Sequence, residues 1–124
     1  QTLVNAYRSG VFPMARGRLT RDWNQSSARM ETDEFGRTLY ANTGDADRKV
    51  VEAVAAVAAA RGVPRAQVAL AWVLRKPEVD APIIGVTKLG QLDDAVAALS
   101  LELTAEEVAA LEAPYVPHAV VGHA

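Results

Sequence analysis

Residues 81–95, APIIGVTKLGQLDDA, constrain this chain more tightly than any other stretch, because a short apolar run reaches Gly85 and then turns directly into helical spacing. The run 82–86 predicts a buried strand, and residues 90–99, with Leu92, Val96 and Leu99 on one stripe, predict the helix that follows. That pairing points to an α/β architecture. The first turn of a helix has unpaired N–H groups and partial positive charge, so an anion beside Gly85, Val86, Thr87 and Lys88 would meet backbone donors, a hydroxyl and an ammonium. The expected ligand carries phosphate.

Three further helices are legible. Residues 46–61 place Val50, Val54, Val57 and Arg61 at helical spacing among alanines, with Asp45 or Asp47 able to cap the start and Gly62 to end the helix. Val63-Pro64 opens the next helix and Lys76-Pro77 closes it. Its Val68, Leu70, Ala71, Trp72, Val73 and Leu74 cover most of the circumference, which predicts burial between neighbours. The last helix, 104–112, starts with the capping-box pair Thr104 and Glu107, and Leu103 can pack on Val108 as a hydrophobic staple. Elsewhere the pattern is weaker. Residues 1–19 allow only a faint strand near Val11 and Phe12, broken by Gly10 and Pro13, and 20–44 read as a long polar loop.

Composition narrows the function classes. Half the residues are hydrophobic and 23% are charged, which suits a folded domain. A net charge of -2 with scattered basic residues gives no pull toward nucleic acid, although the short helices around Gly62 could form a helix-turn-helix. With no cysteine there are neither disulfides nor thiolate metal sites. No apolar run approaches the roughly 20 residues of a membrane span, so no membrane partner is expected and the default location is cytoplasmic. Glu31, Asp33 and Glu34 read as solvated surface rather than metal ligands.

Several separated motifs then fall in order. ARGRLT, DEFGRTLY, RAQVALAWVLRKP, IIGVTK with Gln91 and Asp94, and the closing PYVPHAVVGH together closely resemble the C-terminal part of the aldo/keto reductase family, from about Met14 onward. The family's NADP-dependent enzymes are (β/α)8 TIM barrels, whose active face lies at the C-terminal ends of the strands, where loops after the last two strands often hold phosphate. A whole barrel takes about 250 residues. The resemblance therefore implies that this chain is a single partial domain, mostly helical with one or two short strands, supplying the carboxy-terminal portion of the barrel. Apolar faces left uncovered by absent strands would make it marginal or self-associating.

The same resemblance nominates NADP(H)-binding residues. Pro13, Met14 and Gly17 match the segment that holds the pyrophosphate, although Phe12 replaces its serine and Val11 its nicotinamide-stacking aromatic. Gly85 and Val86 would approach the adenosine phosphate through backbone, while Thr87, Lys88 and Gln91 would meet the 2′-phosphate region. Asp94 would accept from the adenine amino group, and Ala95 stands where many members carry Asn. The family's catalytic Asp, Tyr, Lys and His are implied to lie upstream, so none is assigned here. Tyr7, Tyr40 and Tyr115 lack a lysine at motif-like spacing, and His118 and His123 read as tail residues. The expected function is the cofactor-binding part of an NADP-dependent carbonyl reductase, inactive by itself, with its carbonyl substrate bound only by a full-length parent. The alternative is a non-catalytic helical interaction module.

Overall fold

A computed structural model of the chain describes residues 14–24 and 44–117. Among the described residues there are a short 3-10 turn, Ala15–Thr20, and the helices α1 Gly44–Arg61, α2 Arg65–Leu74, α3 Leu89–Ala98 and α4 Ala105–Glu112. The faint strand near Val11 and Phe12, and most of the 20–44 loop, lie outside the described residues.

Helix α1 presents one continuous apolar stripe. Val50, Val51, Val54, Val57 and Ala58 are buried, recurring at the three- and four-residue intervals that keep side chains on one face. Asp45 and Asp47 lie inside the first turn, because the helix already begins at Gly44, so neither serves as the cap expected from sequence. Their charges still sit at the favourable end of the helix dipole. At the other end Gly62 takes φ +65, and the N–H groups of Gly62 and Val63 donate to the carbonyls of Ala59 and Ala58. This Schellman closure needs a residue that tolerates a left-handed conformation, which is why glycine ends α1.

Helix α2 is the centre of the packing. All six residues from Val68 to Val73 are buried, because α2 packs against the 3-10 turn, α1 and α3. The expectation from its circumferential apolarity is met. Pro64 stands just before the helix as its cap, with φ -61, rather than within its first turn. Leu19 from the 3-10 turn and Leu111 from α4 complete the core against Val54, Val68, Trp72 and Val73.

Helix α4 begins as its sequence predicts. The Thr104 hydroxyl accepts from the Glu107 N–H at 3.2 Å, and Glu107 Oε2 accepts from the Thr104 N–H at 2.8 Å. Glu107 also receives a two-pronged hydrogen bond from Arg61 at 2.5 and 2.7 Å, and the same guanidinium donates to the Glu102 carbonyl. The C-terminus of α1 is thereby clamped to the N-terminus of α4. The Arg61 hydrogen bonds, with help from the Thr104 N–H, lower the Glu107 pKa from 4.5 to about 2. Because the folded value lies below the unfolded one, this contribution to stability is complete above pH 4.5 and disappears as pH falls through about 2. We predict that E107Q flattens the acid limb of a melting-temperature profile over that window. An unchanged limb would refute the assignment.

The structure corrects the expected strand at 82–86. These residues form neither helix nor strand, and no strand is present among the described residues. The reason is that a strand exists through its ladder, and among the described residues no neighbouring strand pairs with its N–H and C=O groups. Ile83, which would point into a buried sheet, is instead 64% exposed.

Helix α3 faces the opposite way from an ordinary surface helix. Its small Ala98 is buried, whereas Leu89, Leu92, Val96 and the following Leu99 are exposed, Leu89 to 74% and Leu99 to 70%. The sequence periodicity is real, but the stripe it generates points to solvent.

Candidate functional site

Residues 85–88 form an exposed lead-in to α3, with Lys88 in extended conformation (φ -136, ψ 145) immediately before the first helical turn. Gln91 organises this turn. Its Oε1 accepts from the Thr87 N–H at 2.9 Å, from the Thr87 hydroxyl at 3.3 Å and from the Lys88 N–H at 3.3 Å. The reciprocal half of a capping box is missing, since an ammonium cannot accept, and the Gln91 N–H donates to the Lys88 carbonyl instead. Gln91 thus acts as a brace for the loop, a role that the sequence pattern alone did not reveal.

Lys88 places a positive charge at this corner. No acidic residue occupies the first turn of α3. Among the described residues no carboxylate pairs with the Lys88 ammonium. A side chain added at Gly85 or Gly90 would meet nothing within 4 Å, so the backbone there is open to an incoming group. The Lys88 charge and the open backbone suit a phosphate, while the Thr87 N–H and hydroxyl and the Lys88 N–H are already given to Gln91.

Asp94 lies one turn beyond Gln91 on the same side of α3, which the i,i+3 spacing requires. It is half-buried, and its Oδ1 accepts from Gln67 Nε2 of α2 at 3.1 Å. Asp93, its neighbour, is exposed. Sequence reasoning missed Gln67 entirely, because residues 27 positions apart become neighbours only through helix packing.

Of the other nominated residues, Pro13 lies outside the described residues. Met14 packs against the hydrophobic core. Gly17 adopts φ +91, a conformation that favours glycine, and its carbonyl accepts from the Thr20 hydroxyl at 3.0 Å. The 3-10 turn containing Gly17 and helix α3 both pack on α2, so one helix supports both nominated stretches.

A separate open cleft of about 210 Å³ lies by Trp23 and includes none of the nominated residues. Its two arginines are occupied: Arg48 pairs with Glu52 at 2.9 Å and Arg65 with Asp22 at 2.5 Å. Among the described residues no group of three or more His, Asp or Glu side chains gathers to hold a metal, and no helix is long and apolar enough to cross a membrane. Tyr115 is exposed beyond α4, while Tyr7, Tyr40, His118 and His123 lie outside the described residues.

The profile of the aldo/keto reductase family matches residues 9–115, most of the chain. The chain belongs to this family. Among curated aldo/keto reductases and related proteins, it is 37% identical over 110 residues to a versiconal hemiacetal acetate reductase of Aspergillus parasiticus, covering 87% of this chain and 32% of the relative. It is 38% identical over 106 residues to a putative aryl-alcohol dehydrogenase of Saccharomyces cerevisiae, covering 85% of this chain and 30% of that one. An aldo-keto reductase of Metarhizium robertsii is 38% identical over 113 residues, covering 90% of this chain and 30% of the relative. The chain therefore spans about a third of the length of these relatives. Among the described residues the chain is helical and no strand is present.

Proposed function

We propose that this chain is the NADP(H)-binding carboxy-terminal portion of an aldo/keto reductase domain, in the cytoplasm. The observation that carries the reading is the acid-free first turn of α3, where Lys88, with no carboxylate partner among the described residues, and exposed Gly85–Gly90 backbone stand beside Gln91 and Asp94. In a complete family barrel, bound NADPH supplies hydride to a carbonyl substrate. This chain's part is binding. Lys88 and Thr87 engage the 2′-phosphate, Gln91 holds the loop in the receiving shape, Gly85 and Val86 admit the adenosine phosphate, and Asp94 accepts from the adenine amino group. Pro13, Met14 and Gly17 form the pyrophosphate side. No acid–base residue for carbonyl reduction is assigned here, so the purified chain is expected to bind NADPH without turning over aldehydes. The test is calorimetric titration of the chain with NADPH and NADH, together with an aldehyde-reduction assay. Absence of NADPH binding would sink the reading.

The outward stripe of α3 favours a second property. Within a complete barrel its leucines would lie against strands, whereas among the described residues they form an exposed apolar face. Alone, the chain is expected to cover this face with a second copy. We predict that the double substitution Leu92→Glu and Leu99→Glu shifts the chain toward monomer in sedimentation velocity across a concentration series. An identical concentration dependence in the variant would exclude this face as the contact.

A further inference from the structure

Asp93 and Asp94 are chemically identical neighbours, yet only Asp94 is held by another helix. The Gln67 amide reaches across from α2 and donates to Asp94 Oδ1 at 3.1 Å in a partly buried setting. A carboxylate only accepts, so it must be the amide nitrogen that faces Asp94. The donor itself is anchored, since Gln67 is the third residue of α2 and its backbone N–H donates to the Pro64 carbonyl at 3.0 Å. Position 95, where the family often carries an asparagine beside the acidic residue, is Ala95 and offers no amide. The amide next to Asp94 comes from a different helix.

We infer that Gln67 is a positioning residue for adenine recognition, fixing one oxygen of Asp94 so that the other is presented to the exocyclic amino group of the base. The inference rests on the reading of residues 85–94 as an NADP(H) site. An untethered surface aspartate must be ordered at the moment a ligand arrives, and that ordering opposes binding. With one oxygen already bonded to Gln67, the carboxylate is ordered before the base arrives.

The discriminating probe is NADPH against its hypoxanthine counterpart, in which a carbonyl oxygen replaces the adenine amino group. Asp94 can accept from the first and faces an acceptor in the second. Dissociation constants for both nucleotides are measured on the full chain, on Gln67→Leu, on Gln67→Met and on Asp94→Ala. The wild-type chain is expected to prefer adenine by about tenfold, the equivalent of one hydrogen bond to a charged group. Gln67→Leu and Gln67→Met should bring that ratio close to one, as Asp94→Ala does, while affinity for the hypoxanthine nucleotide stays near the wild-type value. A purely structural tie between α2 and α3 would instead weaken both nucleotides together and leave the ratio intact, which overturns the inference while the NADP(H) reading stands. Two independent substitutions, each scored by a ratio internal to one protein, guard against a variant that folds poorly. Failure of the wild-type chain to bind either nucleotide would remove the underlying reading, and with it the inference. Equal wild-type binding of both would remove the adenine role of Asp94.

Discussion

Trp72→Ala is expected to destabilise the chain by about 3–5 kcal/mol, the usual loss when a buried indole is cut to a methyl. Trp72 is only 5% exposed and belongs to the core shared by the 3-10 turn, α1, α2 and α4. Its ring is also the platform of a small latch. Trp72 Nε1 donates to Glu112 Oε1 at 3.0 Å, Lys76 Nζ donates to the same oxygen at 2.8 Å, and the ammonium lies 4.4 Å from the ring centroid. Lys76 first, and Trp72 after it, hold the Glu112 pKa below its ordinary value. Domains of ordinary stability have a margin of roughly 5–15 kcal/mol, and this chain leaves a row of leucines in water. The loss should therefore remove most of the cooperative transition in urea denaturation followed by circular dichroism. Trp72→Phe, which keeps an aromatic ring but loses the N–H donor and part of the buried indole volume, should fall clearly between wild type and alanine. If alanine cost no more than phenylalanine, packing of the indole would not be what holds α2 and α4 together.

Lys88→Met should weaken NADPH binding by about tenfold while leaving NADH nearly unaffected. Hydrogen bonds to charged groups contribute about 1.5–3 kcal/mol, and the lower end applies because Lys88 is exposed and its field is screened by solvent. Tenfold corresponds to about 1.4 kcal/mol. The effect is specific to the 2′-phosphate, since that group is all that distinguishes the two nucleotides. The proposal that Lys88 reads it requires the NADPH-to-NADH affinity ratio to collapse in the variant and to fall with added salt in the wild-type chain. Equal losses for both nucleotides would place Lys88 elsewhere in the site. A unchanged NADPH affinity would place it outside the site altogether.

The helices were legible in the sequence because their signals are local. Thr104 and Glu107 lie within one turn, so the hydrogen bonds that start α4 need nothing from the rest of the chain. Gly62 ends α1 for a similarly local reason, its φ of +65. Val68 to Val73 announced a helix buried on several sides, and α2 is such a helix. The family was legible too, since ordered motifs survive without a three-dimensional context, and the match over residues 9–115 establishes it.

Tertiary structure decided what depends on partners. Residues 82–86 have the composition of a strand, but a strand needs a second chain segment to complete its hydrogen bonds, and among the described residues none is there. The periodicity of Leu92, Val96 and Leu99 fixed that they share a face, yet only the packing of α3 on α2, with Ala98 buried, decided that the face turns outward. Likewise the sequence could nominate Asp94, but the amide that restrains it sits on another helix. Local hydrogen-bonding and side-chain spacing are encoded residue by residue, whereas the direction of a face and the partner of a polar group are settled only when distant segments meet.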